Sequence, residues 1–350
     1  MRHAAPNRPA RIALASTALS LLAVVAVTAA VAQSPRRLER SPANTAAGAP
    51  SPDEPAGTPA QYTPPQDQGF PLAKLRSKLT TRFRRDMTSG PAPTPPPRLF
   101  RLERYPAPLG TNAAYVTPPT GGEPKPAMVW IHGGFDWSIG SSAWALSPRE
   151  NNQSASAFRA PGMVLMLPSL RGTNDNPGQS ECFLGEVDDI IAAGEYLRGR
   201  PDVDPERIYL GGHSTGGTLA LLTAASTARF RAVFAFGAGA DPGYYGEDGC
   251  LPESTRGPER RARAPIHFLS QIRTPTFVIE GADVAWVADY RDMRRTRRSA
   301  PVEFLIVPDA DHFTVLGPGS EVVARAIRET STASPGVQIT TEMITQRMHL

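Results

Sequence analysis

Arg207-Ile208-Tyr209-Leu210-Gly211-Gly212-His213-Ser214-Thr215-Gly216-Gly217-Thr218-Leu219-Ala220-Leu221-Leu222 passes from a β-branched and aromatic stretch, through glycines and one serine, into a run of Leu and Ala. The first part predicts a short buried strand and the last a helix. Between them, Gly212-His213-Ser214-Thr215-Gly216 fits G-x-S-x-G, the pattern of a sharp strand-to-helix turn that projects a serine hydroxyl. Glycine at both flanks keeps Cβ atoms out of the crowded bend. Ser214 is therefore the candidate nucleophile; the bland alternative is a Gly-rich turn with a bystander serine.

Working outward, short β-branched or aromatic runs alternate with longer helical patterns. Strands are expected at 99–104 and 111–117 (an initial hairpin), 127–132, 163–168, 207–211, 232–236, 276–280 and 302–307. Val187, Ile190, Ile191, Gly194 and Leu197 have helical spacing, with Glu186, Asp188 and Asp189 in the first turn, where the helix dipole favours acids. Further helices are expected at 216–226, 286–298 and 320–330. This alternation predicts an α/β fold whose eight-stranded, mostly parallel sheet is covered on both faces. In such sheets chemistry gathers beyond the carboxyl ends of the strands.

Trp130-Ile131-His132-Gly133-Gly134-Phe135 together with Gly212-His213-Ser214-Thr215-Gly216-Gly217 resembles the α/β-hydrolase superfamily, most closely the catalytic domain of prolyl oligopeptidase-type serine hydrolases. The resemblance covers roughly residues 98–330 and implies the chain order nucleophile, acid, histidine. His312 lies just past the last strand, in Asp309-Ala310-Asp311-His312-Phe313, where a neutral imidazole can take the Ser214 proton and return it to the leaving group. His3, His213, His267 and His349 are poorly placed for that role, and His132 belongs to an earlier loop. Asp283, two residues after Gly281, stands where the resembling families put the acid, although their loops often hold one more residue; Asp289 and Glu280 are the reserves. Asp309 and Asp311 are too close to His312 along the chain to accept easily from Nδ1 and are expected to shape its turn.

Acyl transfer also needs donors for an oxyanion. The N–H of Thr215 at the start of a helix is one; Gly134 or Phe135, in the loop after the third strand, supplies the second, with a plain turn as the competing account. His132-Gly133-Gly134 is one Gly shorter than the HGGG loop of many esterases. Arg171-Gly172 and 174–178 are candidate walls, and 242–272 resembles a small lid insertion holding Tyr244, Tyr245, Cys250, His267 and Phe268 as candidate lining for an apolar pocket. Arg256, Arg260, Arg261 and Arg263 there could meet a substrate carboxylate or form a solvated charge run. Cys182 and Cys250 could pair across the site; two buried free thiols would look identical in sequence.

The 350-residue chain carries 37 Pro and a net charge of +4. Fourteen of these prolines fall within 33–97, and the charge divides as +3 over 1–32, +4 over 33–97 and −3 over 98–350. The part long enough to fold thus lacks the basic footprint of a nucleic-acid binder. Arg2, Arg8 and Arg11 precede an uncharged run, 12–32, that ends in Ala30-Val31-Ala32, which reads as an export signal over 1–32; its length leaves an uncleaved membrane anchor as the alternative. Residues 33–70 read as a disordered Pro-rich spacer. In 71–97 an amphipathic basic helix, with Leu72, Leu75, Leu79 and Phe83 on one face, precedes a Pro linker; docking on the domain and contact with an anionic membrane surface are the two readings of 71–87. A catalytic domain over 98–330 and a tail over 331–350 complete the expectation.

No paired-Cys, H-E-x-x-H or phosphate-cradling motif occurs, so neither metal nor cofactor is called for. The function expected is an exported serine hydrolase, periplasmic or secreted, that cleaves ester or amide bonds of a small molecule or short peptide through an acyl-enzyme. The 65 Pro-rich residues before the domain are too few for the propeller that usually restricts peptide access in the resembling peptidases. A carboxylesterase for small acyl esters, and an inactive hydrolase-like binding protein, are the alternatives. Oligomeric state is not legible.

Overall fold

All eight predicted strands form in the computed structural model, which describes residues 62, 69–87, 89–243, 245, 249–252, 254–334 and 336–350. The proposed signal segment, nearly all of the spacer and Tyr244 lie outside the described residues. The strands are β1 (Arg101–Ala107), β2 (Gly110–Val116), β3 (Lys125–Ile131), β4 (Val164–Pro168), β5 (Val203–His213), β6 (Val233–Phe236), β7 (Thr276–Gly281) and β8 (Val302–Val307). They make one sheet in the order β1-β2-β4-β3-β5-β6-β7-β8. β2 runs antiparallel to β1 and β4, and every other pairing is parallel.

Every residue of β4, β6 and β7 is buried, as continuous apolar runs require when both sheet faces are covered. Successive β3 side chains divide between two cores: Ala127, Val129 and Ile131 pack with α2 (Glu186–Arg198) and α3 (Thr215–Ala224), while Met128 and Trp130 pack with α6 (Leu316–Glu329). The segment between β6 and β7 holds the short helix α4 (Gly257–Arg261) and, after it, the 3-10 turns Pro265–His267 and Leu269–Gln271, and α5 (Val287–Thr296) joins β7 to β8.

Both ends of the domain extend beyond the sequence expectation. The basic helix is only α1, Pro71–Arg76, rather than spanning 71–87. Thr80 and Thr81 weaken helical propensity just beyond it, and tertiary bonds then win: Thr81 Oγ1 accepts from Arg263 Nη2 at 2.7 Å, and Arg85 pairs with Ser180 as an isolated antiparallel bridge. Leu72 is fully buried, and Leu75, Leu79 and Phe83 pack against the same core, so the apolar face offered as a membrane contact is turned onto the domain. Among the described residues no helix is long and apolar enough to cross a bilayer. At the other end, Val337, Ile339 and Ile344 are buried, and α7 (Thr341–Met348) lies on α6, so 331–350 folds with the domain and is no free tail.

Candidate active site

β5 ends in the predicted elbow. Ser214 has φ 57° and ψ −118°, a conformation that costs a non-glycine residue strain and turns its side chain out at the strand's carboxyl end. Its N–H donates to Phe236 O of β6 at 2.8 Å, which fixes the turn against the sheet. A Cβ on Gly216 would lie 2.2 Å from Ile131 O, so the approach of α3 to β3 excludes any side chain there.

The loop after β3 closes over the start of α3. Gly134 has φ +92°, and its carbonyl accepts a hydrogen bond from Thr215 Oγ1. Thr215 is the first residue of α3, where backbone N–H groups have no intrahelical acceptor. The three proposed oxyanion residues, Thr215, Gly134 and Phe135, are thus brought together at one helix N-terminus. His132 is held in the same loop by close contacts of its ring nitrogens with the carbonyls of Gly133 and Ser138, 2.7 Å each.

His312 follows β8 and is positioned from three sides. A Cβ on Gly237, the residue after Phe236, would stand 2.3 Å from His312 Cε1, so the imidazole lies directly against the end of β6 to which Ser214 is also bonded. Asp311 caps the turn, its Oδ1 accepting from the N–H groups of Phe313 and Thr314 at 2.8 Å each. Burial alone would push its carboxyl up, but these donors more than offset it and the net shift is downward. The third support is His213. Its ring centroid is 4.6 Å from that of His312, and its Nε2 lies 3.0 Å from His312 O. Burial, and secondarily the neighbouring His312, drop the His213 pKa to about 4, so at neutral pH it is an uncharged donor to that carbonyl.

The acid differs from the leading sequence expectation. His312 Nδ1 lies 3.1 Å from Glu280 Oε2, whereas Asp283 is exposed and, among the described residues, its side chain has no hydrogen bond or ion pair. Glu280, one of the two reserves, is the penultimate residue of β7 and is completely buried. Gly281 N donates to its Oε1 at 2.9 Å; Trp286 Nε1 and Tyr290 Oη donate to Oε2 at 3.2 and 3.1 Å. Burial, and then the adjoining carboxylate, push the Tyr290 hydroxyl well above its ordinary value, so it remains a donor. The short spacing after Gly281 explains the exchange. At residue 283 the backbone is still bonded to the loop after β8, through Asp283 N to Ala310 O at 2.9 Å, and the side chain is left facing water. Asp289, the other reserve, sits in the first turn of α5.

Cys182 and Cys250 form a disulfide, with Cα atoms 5.5 Å apart, that ties the loop after β4 to the segment after β6. Cys182 and Phe183 both have positive φ (58° and 65°), and this turn delivers Phe183 to an aromatic group. Phe183 stacks with Tyr245 at 6.2 Å, Phe135 meets Tyr245 edge-on at 5.3 Å, and Tyr245 Oη lies 3.1 Å from Thr218 Oγ1, one turn along α3 from Ser214. The candidate wall residue Arg171 is a brace instead: it is buried and forks onto Asp189 of α2 (2.8 and 3.0 Å). In the 242–272 segment Arg260 pairs with Asp241 at 2.7 Å, and the wholly buried Arg263 donates to the carbonyls of Cys182 and Glu181, so neither matches the solvated run or the carboxylate binder considered from sequence. Phe268 is buried and His267 exposed.

The model of the prolyl oligopeptidase family matches residues 150–328, just over half of the chain. The chain belongs to the prolyl oligopeptidase family. Membership places it among the serine peptidase-type hydrolases, and the sheet order and elbow described above are those of its α/β-hydrolase fold. No curated protein matches the chain. Among solved structures, a Mycobacterium tuberculosis puromycin-hydrolyzing peptidase is similar at 21% identity and a TM-score of 0.54, over 69% of this chain and 41% of that one. A Pyrococcus horikoshii acylaminoacyl peptidase is similar at 17% identity and a TM-score of 0.51, over 70% and 43%. This prolyl oligopeptidase family member thus spans about two fifths of the length of these neighbours, and at such identities the likeness speaks for the fold.

Proposed function

We propose that this protein is an exported hydrolase that cleaves ester or amide bonds of small molecules or short peptides through an acyl-enzyme on Ser214, with His312 as general base and acid and Glu280 as its carboxylate. The contact of His312 Nδ1 with the buried Glu280 carboxylate carries the reading, because it sets the tautomer that leaves Nε2 free to accept a proton. As Ser214 Oγ attacks the acyl carbon, His312 Nε2 takes its proton. The backbone N–H groups of Thr215 and of Gly134 or Phe135 receive the oxyanion at the start of α3. Collapse returns the proton to the leaving oxygen or nitrogen, and water then repeats the sequence against the acyl-enzyme. Phe135 and Tyr245, beside the nucleophile helix and backed by the buried Phe183, supply an apolar wall for the acyl portion. Family membership supports the peptidase side of this reading.

A fluorophosphonate probe is expected to label the folded protein at Ser214 and to leave Ser214→Ala unlabelled; equal labelling of both would overturn the assignment. Turnover of short acyl esters set against aminoacyl and dipeptidyl amides separates a carboxylesterase from a peptidase. Export is supported by the basic and apolar pattern of 1–32 and by a cross-link that persists in oxidising compartments. N-terminal sequencing of the protein recovered outside the cytoplasm tests it, with a start near Gln33 expected and retention of Met1 or Arg2 counting against cleavage.

A further inference from the structure

The geometry points to a leaving-group subsite made by Trp286 and Phe313, selective for an aromatic or bulky apolar alcohol or amine; in a peptide this is the residue just after the scissile bond. The inference rests on the catalytic reading above. His312 must hand its proton to the departing atom, so the leaving group has to lie within hydrogen-bond reach of Nε2, on the His312 side of Ser214. Two exposed aromatic rings border the imidazole that donates this proton. Trp286 meets the imidazole edge-on at 5.5 Å and Phe313 at 5.0 Å, both at 80°.

These are the only exposed Trp and Phe side chains among the described residues, each 45% exposed. An isolated exposed apolar residue needs no explanation, but both flank one reacting group and both are held in place. Trp286 Nε1 is anchored on Glu280 Oε2, and the Phe313 N–H on Asp311 Oδ1. Apolar surface held rigid beside the proton donor is pre-organised for a ligand, which reduces the entropy lost on binding. On the catalytic reading the acyl portion lies elsewhere, toward Phe135 and Tyr245, which the buried Phe183 backs, so the two halves of a substrate meet separate aromatic surfaces.

Balance is maintained in each direction. In acylation the Ser214 Oγ–acyl bond forms, the bond from the acyl carbon to the leaving oxygen or nitrogen breaks, and the Ser214 proton departs on that atom through His312. In transfer to an added alcohol the alcohol oxygen bonds to the acyl carbon, the Oγ–acyl bond breaks, and the alcohol proton returns to Oγ by the same route. A group that binds well while leaving must therefore also bind well as acceptor.

The test compares benzyl and ethyl esters of one carboxylic acid, whose alcohols are similar in basicity, using the full chain. A preference of roughly tenfold in kcat/KM for the benzyl ester is expected, the size of a good aromatic contact, falling toward unity in Phe313→Ala and retained in Phe313→Trp. Independently of any variant, the acyl-enzyme of the unaltered protein should partition to benzyl alcohol over ethanol, at equal concentrations, by a similar factor. Equal kcat/KM for the two esters, equal partitioning, or a preference undiminished in folded Phe313→Ala overturns the subsite. Failure of a fluorophosphonate to label Ser214 in the folded protein overturns the catalytic reading itself and the subsite with it.

Discussion

Replacing Glu280 by Gln removes one charge and almost no volume. Three donors converge on Oε2 (His312 Nδ1, Trp286 Nε1 and Tyr290 Oη) and one, Gly281 N–H, on Oε1. The Gln amide therefore settles with its oxygen in the Oε2 position, and its NH2 is opposed only by Gly281 N–H. His312 keeps its place and tautomer, but the imidazolium formed during attack has lost its counter-charge at 3.1 Å. At an effective dielectric constant near 20 that attraction amounts to about 5 kcal/mol, hence a loss on the order of 10⁴-fold in kcat. The unmatched Gly281 N–H adds a stability cost of about 1–3 kcal/mol, so a melting curve should accompany each rate. Single-turnover acylation with an activated ester reads the chemical step directly. Asp283→Asn, which alters an exposed carboxylate, is expected to stay within about twofold, the scale of a screened surface charge. A Glu280→Gln protein retaining a tenth or more of the rate, or an Asp283→Asn protein losing a hundredfold, would refute this division of roles.

Gly237→Ala places a methyl on the imidazole at a position with φ +59°; kcat toward a nitrophenyl ester should fall by roughly 100-fold as His312 is displaced, and a change below about threefold would contradict the packing. His213 makes stability depend on pH with a definite sign. Its pKa is about 4 folded against 6.5 unfolded, so the unfolded chain holds the extra proton between those values; the stabilisation is complete above pH 6.5 and lost as pH falls toward 4, by about 3 kcal/mol. Urea midpoints across that window should slope for the unaltered protein and lose that component in His213→Asn; parallel slopes would show that another group titrates.

Strands and nucleophile were legible because their signals are local: a strand buried on both faces reads as an apolar run, and an elbow needs glycine on either side of its serine. The acid was less so. Glu280 reads as a residue inside β7, and only the three-dimensional closeness of β7 and the loop after β8 shows which carboxylate meets His312, although the missing residue after Gly281 was a warning that the usual position had shifted. The amphipathic spacing of 71–87 correctly marked a buried stripe yet overstated the helix, since an extended segment lying along the domain can bury Leu79 and Phe83 equally well. In sequence His213 is poorly placed for a catalytic base, and its place beneath the His312 carbonyl is visible only in three dimensions, with the two rings 4.6 Å apart. Two cysteines carry no sign in sequence of whether they are joined.

The wholly buried Arg263 guanidinium donates to Thr81, ahead of the predicted domain, and to the carbonyls of Glu181 and Cys182. Arg76 likewise donates to Leu184 O and pairs with Asp188 at 2.7 Å. The loop bearing Phe183 is therefore propped from behind by a stretch of chain that a motif-based boundary at residue 98 discards. A recombinant protein begun at that boundary would retain Ser214, His312 and Glu280 yet lose one support of its substrate wall. Selectivity could then change in a molecule whose reacting groups are all intact.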